Sequence, residues 1–163
     1  MRSRSRAGPE TLSCRALIDR VADRLGERAA TAGLELSVQL PEGWPNAELR
    51  ADPAAAEQIL FNLVDNAAKY APSDSEPRIE LSAREAGSRL AITVRDHGPG
   101  VPAGEHRTIF EPFAKARADE HGTKPGVGLG LALSRRLARQ LGGELSIEDA
   151  DPGARFVFSV PRA

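Results

Sequence analysis

Residues 52–72 constrain this chain more than any other stretch. Asp52 is a good helix N-cap, Pro53 suits the first helical position, and Pro72 helps stop the helix. Between them Ile59, Leu60, Leu63, Val64 and Ala67 supply one apolar side at helical spacing. The segment 53–70 therefore predicts a helix that must be buried against another layer. Its stretch FNLVDNAAKY also places Asn62, Asn66 and Lys69 at i, i+4 and i+7. Those positions line up in one polar stripe. Such a stripe is either the solvated side of an amphipathic helix or a ligand site. Asp65 and Lys69 are i,i+4 neighbours, so a helix ion pair is a further use for Lys69, contributing a few tenths of a kcal/mol.

The rest of the chain says what that helix packs on. Leu17, Ile18, Val21, Ala22 and Leu25 recur at helical spacing within 12–32, and Gly33 follows as a C-cap. Leu34, Leu36, Val38 and Leu40 alternate as a strand, followed by the turn-rich segment 41–47. Ile79, Leu81 and Ala83 predict one further strand and Leu90, Ile92 and Val94 another, joined through Gly87-Ser88-Arg89 as a hairpin. Residues 97–127 are rich in Gly, Pro, His and charge, a pattern typical of a functional or mobile loop. A helix over about 128–141, ended by Gly142-Gly143, precedes two strands with Leu145 and Ile147, then Phe156, Phe158 and Val160. The expected fold class is α/β (α+β): a two-layer sandwich with roughly three helices on one face of a mixed, mostly antiparallel sheet. One domain is expected over 12–163. Residues 1–11, with Arg2, Arg4 and Arg6, read as a disordered leader or a remnant of an upstream segment.

Composition narrows the function classes. The formal net charge of −1 provides no electrostatic pull toward nucleic acid or anionic lipid. A single cysteine, Cys14, precludes an internal disulfide and fits a reducing cytoplasm. No stretch approaches the roughly 18 apolar residues of a membrane span, so direct membrane insertion is not expected. Any anchor of a longer protein would lie elsewhere.

Three further clusters carry chemistry. RDHGPGVP, 95–102, puts Asp96 at a strand end, followed by Gly98 and Gly100. Such a carboxylate can accept from an exocyclic amine, and the glycines let backbone approach a planar ring. A plain Asp-containing turn is the simpler alternative. IFEPFAKA, 109–116, brackets Glu-Pro with Phe110 and Phe113 and is followed by Lys115. The rings suit packing beneath the loop, and Lys115 is either surface charge or a phosphate contact. GVGLGLALSRRLARQLGG, 126–143, is a glycine-rich turn opening a helix, whose free N–H groups and dipole favour phosphate. It is neither GxGxxG nor a GK[ST] phosphate loop.

Taken in order, the Asn-bearing helix, DxGxG, FxPF and GxGLGL resemble the catalytic and ATP-binding domain of bacterial sensor histidine kinases. The resemblance covers about residues 12–163. It implies the Bergerat sandwich shared with gyrase, MutL and heat-shock chaperone ATPases. It implies Asn66 as a Mg²⁺ ligand, with Asn62 supporting the same metal. Lys69 resembles the lysine that touches the terminal phosphates, Lys115 a second cation there, and Tyr70 a residue beside the nucleoside. Asp96 resembles the acceptor of the adenine amine. Gly98 and Gly100 would shape its pocket, and residues 103–125 would form a lid. Gly126, Gly128 and Gly130, with Leu131 beside them, would hinge that lid and offer amides to phosphates.

The implied activity is ATP- and Mg²⁺-dependent phosphoryl transfer to a histidine on a separate dimerisation and phosphotransfer domain, with a response regulator downstream. His97, His106 and His121 are expected at the surface or in the lid. None lies in the His-Glu motif of the family's acceptor, so this chain alone should not autophosphorylate. Departures from the common pattern are Ala114-Lys115 for Tyr-Arg, Val127 for Thr, and Ala154 where Ser or Thr is frequent. The ATP-hydrolysing branch uses ExxxN, but Asn62 stands at the Glu position and an amide is no general base. Anti-sigma serine kinases usually lack FxPF. A nucleotide-gated interaction module with weak or no kinase activity stays open as an alternative.

Overall fold

The computed structural model describes residues 8–43, 46–70, 76–112, 130–150 and 152–163. The chain starts with a strand, β1 (Glu10–Ser13), which leads directly into α1 (Cys14–Thr31). Glu10 and Thr11, expected in the leader, are therefore strand residues. Ser13 caps α1, its side chain accepting from the Ala16 N–H at 3.0 Å. After α1 the chain turns through Gly33, at φ +76, into β2 (Glu35–Gln39). A second short strand, β3 (Glu48–Ala51), was not anticipated and pairs antiparallel with β1.

Helix α2 (Pro53–Tyr70) has the predicted bounds. The Asp52 carboxylate accepts from the Ala54 N–H at 3.0 Å, which is the expected cap. Its buried residues are Pro53, Ala56, Ile59, Leu60, Leu63, Val64, Ala67 and Ala68. Each fully buried Leu or Ile among them stabilises the fold by about 1.5–3 kcal/mol relative to an exposed side chain. The hairpin β4 (Arg78–Ala86) and β5 (Arg89–Arg95) follows, closed by Gly87, at φ +62, and Ser88. Two single-turn 3-10 segments, Ala103–Glu105 and Thr108–Phe110, lie beyond β5. Helix α3 (Gly130–Gln140) then leads to β6 (Glu144–Asp149) and β7 (Ala154–Pro161).

The main sheet has the order β2-β4-β5-β7-β6. Only β2 and β4 run parallel, and the other pairs are antiparallel. The predicted mixed, mostly antiparallel sheet with helices packed on it is therefore observed. Register explains the burial. Leu81, Val94, Phe156 and Ile147 form one cross-strand row, with Val38 exposed at its edge, and Ala83, Ile92, Phe158 and Leu145 form another. These rows face the helices, because alternate strand residues share a face. On the other face Ser82 and Thr93 share a 2.6 Å hydrogen bond.

Helices α1 and α2 lie side by side and advance in the same direction. Arg20 pairs with Glu57 at 3.1 Å, the Arg24 guanidinium sits 4.9 Å above the Phe61 ring, and Arg28 pairs with Asp65 at 2.7 Å. One arginine per turn of α1 thus meets one residue per turn of α2.

Candidate functional site

Helix α2 presents the polar stripe beside α3. Asn62 is the joint between the helices. Its Nδ2 donates to Ser134 Oγ at 2.9 Å, and its Oδ1 accepts from Gln58 Nε2, also at 2.9 Å. Ser134 is fully buried, so this bond lies where α3 meets α2. One turn on, Asn66 is half-buried and its amide makes no hydrogen bond among the described residues. Lys69 Nζ sits 3.1 Å from Asp65 Oδ2, the i,i+4 pair weighed from the sequence. Arg28 Nε takes the other oxygen, Oδ1, at 2.7 Å. Burial raises the Asp65 pKa, but Arg28 and Lys69 outweigh it and hold the carboxyl below its ordinary value. That contribution to stability is present above the unfolded-state pKa and is lost as pH falls through the lowered folded value.

Asp96 follows β5 and is only 6% exposed. Its Oδ1 accepts from the Gly98 N–H at 2.8 Å, and its own N–H donates to the Ala154 carbonyl at 3.0 Å. Burial raises its pKa, and the Gly98 hydrogen bond only partly offsets the rise. Between the unfolded and the raised folded value the native state holds a proton that the unfolded chain releases. Stability from this group is full at low pH and is lost as pH rises through the folded pKa. The fold therefore bears a cost to keep a buried carboxylate here, which is how functional carboxylates commonly stand out.

Glycines make the close approaches around it. Gly100 has φ +77, and a Cβ there would lie 2.8 Å from the Gly153 carbonyl oxygen. Tyr70 ends α2 and is half-buried. Gly130 opens α3 at an exposed position, and Leu131 packs against the core cluster. Lys115, Gly126 and Gly128 lie outside the described residues, as do Phe113, His121 and residues 113–125 of the expected lid. Phe110 packs as foreseen, edge-on to Phe156 with centroids 6.3 Å apart. The Arg135 guanidinium covers it at 4.7 Å.

One expectation is corrected. His97 is not a surface or lid residue: it is 8% exposed. Its ring lies 3.5 Å from Glu76 and 3.4 Å from Glu80, acids on and just before the neighbouring strand β4. Nε2 itself makes no hydrogen bond among the described residues. His106 is also partly buried, with Nε2 2.8 Å from the Val101 carbonyl oxygen. The sequence also gave no sign of Ser134, Gln58 or Arg28 as partners of the stripe.

Comparison with known proteins places this arrangement. The family model described as histidine kinase-, DNA gyrase B- and HSP90-like ATPase matches residues 51–163. The adaptive-response sensory kinase SasA of a Synechococcus strain is 31% identical over 91% of this chain and 37% of its own length. The signal transduction histidine-protein kinase/phosphatase MprB of Mycobacterium bovis is 37% identical over 85% of this chain and 26% of its own length. The chain thus spans 26% to 37% of the length of these curated relatives. Full-length ShkA, solved in complex with AMPPNP, superposes with a TM-score of 0.78 at 30% identity, covering 95% of this chain and 31% of that one. Fold, site and matched residues together make this chain a member of the histidine kinase-, DNA gyrase B- and HSP90-like ATPase family, with sensor histidine kinases among its relatives.

Proposed function

We propose that this chain is the Mg·ATP-binding catalytic domain of a two-component sensor histidine kinase. It binds ATP and presents the γ-phosphoryl to a histidine on a dimerisation and phosphotransfer domain of the same longer protein. A histidine nitrogen forms the new bond to phosphorus, the bond to the bridging oxygen breaks, and ADP leaves. A response regulator takes the group afterwards, in the cytoplasm. Among the described residues no helix is long and apolar enough to cross a membrane. The domain's own contribution is positioning and charge stabilisation.

The observation that carries the proposal is Asp96, a buried carboxylate with a raised pKa at the end of β5. An acceptor of this kind suits the exocyclic amine of adenine. In this reading Gly98 and Gly100 would bound the adenine pocket, and Tyr70 and Leu131 would flank it. Lys69 and the α3 N-terminus at Gly130 would serve the phosphates, and the sequence motifs nominate Gly126, Gly128 and Lys115 for the same role.

The residues present also fit Mg²⁺. Asn66 has an amide with no hydrogen bond among the described residues. Among those residues no group of three or more His, Cys, Asp or Glu could hold a metal. A hard cation held by Asn66, with Asn62 beside it, would take most of its oxygens from phosphate and water. There it would offset phosphate charge.

Mg·ATP should raise the melting temperature of the isolated chain. At about 100 times its dissociation constant the ligand stabilises by about 2.7 kcal/mol. Differential scanning fluorimetry with Mg·ATP, ATP plus chelator, and Mg²⁺ alone checks this. An unchanged melting temperature at saturating Mg·ATP would remove the proposal.

A further inference from the structure

Arg28 lies on α1, outside every motif of the site, yet it shares a carboxylate with Lys69. Asp65 offers one oxygen to each cation, Oδ1 to Arg28 at 2.7 Å and Oδ2 to Lys69 at 3.1 Å. All three side chains keep 23–28% of their surface exposed, so the cluster is neither fully screened nor dry. The α1–α2 ladder, with Arg20 on Glu57 and Arg24 on Phe61, fixes the height at which Arg28 meets Asp65. We propose that Arg28 is a positioning residue for phosphate recognition: by sharing Asp65 it loosens that carboxylate's hold on Lys69 and leaves the ammonium able to transfer to a nucleotide phosphate.

The reason is competition. Lys69 cannot give its full charge to a phosphate while Asp65 holds it. An Asp65 with one cation partner holds that partner harder than an Asp65 with two. Removing the Arg28 charge therefore tightens the Lys69–Asp65 pair and weakens Lys69 toward phosphate. Removing the Asp65 charge as well should cancel the effect, because nothing then competes for Lys69. A purely structural Arg28 predicts otherwise: lower stability, an equal loss for every ligand, and no recovery in the double variant.

The inference depends on Lys69 contacting phosphates, so the test separates the two claims. Calorimetry measures Mg·ATP and adenosine binding to the wild type, Lys69→Ala, Arg28→Gln, Arg28→Lys, Asp65→Asn and Arg28→Gln/Asp65→Asn. Partly exposed ion pairs of this kind are worth about two- to fivefold in binding. Arg28→Gln should weaken Mg·ATP by about that factor and leave adenosine unchanged. Arg28→Lys should bind nearly as the wild type does, and the double variant should return to the affinity of Asp65→Asn. A normal Mg·ATP affinity in Arg28→Gln, or no recovery in the double variant, overturns the positioning role while Lys69→Ala still shows the phosphate contact. If Arg28→Gln does not fold, Asp65→Asn alone decides, since a tenfold loss of Mg·ATP affinity there contradicts the competition. An unaltered Mg·ATP affinity in Lys69→Ala overturns both the phosphate contact and this inference. No nucleotide binding by the wild type overturns the proposed function and this inference with it.

Discussion

Asp96→Asn should lower ATP affinity about ten- to a hundredfold, because a charge-assisted hydrogen bond of roughly 1.5–3 kcal/mol is lost. The asparagine amide can also turn a donor toward the adenine amine, which is itself a donor. The unliganded protein should be almost as stable as before. The Asn side-chain oxygen can still accept from the Gly98 N–H that now reaches Asp96 at 2.8 Å. It also removes the burial cost that raises the Asp96 pKa. Asp96→Ala is the contrasting variant. It leaves that N–H without its acceptor, at about 1–3 kcal/mol. Calorimetry for ATP and urea unfolding without it measure the two quantities on one preparation. A folded Asp96→Asn protein with undiminished ATP affinity would mean that adenine binds elsewhere.

Gly153→Ala should be severely destabilising. Gly153 sits at φ +98, which already disfavours any side chain. A Cβ there would lie 1.9 Å from the Asp96 carbonyl oxygen and 3.0 Å from the His97 Cα. Both neighbours are backbone, so no side chain can swing away. The strand end carrying Asp96 must move instead. A cost of about 3 kcal/mol or more follows from combining strain with displaced packing. For a chain of this size that corresponds to a fall of roughly 10 °C in melting temperature. ATP binding should fall with it, since the displaced segment holds the acceptor. Gly87→Ala is the control, with φ +62 but nothing within 4 Å of the added methyl. It should cost only the left-handed strain, about 1–2 kcal/mol. Equal melting temperatures for Gly153→Ala and Gly87→Ala would refute the close-approach account.

What the sequence revealed and what it hid divide along physical lines. The bounds of α2 were legible because Asp52 and Pro53 are local signals that act without tertiary help. The β4–β5 hairpin was legible because both strands alternate and Gly87-Ser88 punctuates them. β1 and β3 were not, since each has four residues and almost no period to detect. They are strands because they find each other, which only the folded chain arranges. In the site, Asp96 and the asparagines were legible by residue type and spacing. Their partners were not, because Ser134 lies 72 residues from Asn62 and Arg28 lies 37 from Asp65. His97 was misplaced for a related reason. A histidine read alone suggests solvent, while the acids beside it lie on and just before another strand.

Strand β3 has a consequence for the order in which the molecule assembles. It pairs with β1 on one side, bridges Leu49 to Arg162, and accepts the Ala163 N–H at the Glu48 carbonyl, 3.1 Å away. About two-thirds of the chain must be drawn into a loop before that second junction can form. Closing so long a loop spends entropy before any contact repays it. The β4–β5 and β6–β7 hairpins close far shorter loops and can form first. The buried Leu49 then becomes a fastener rather than a nucleus. Weakening it leaves the rate of folding largely intact and shortens the lifetime of the folded state.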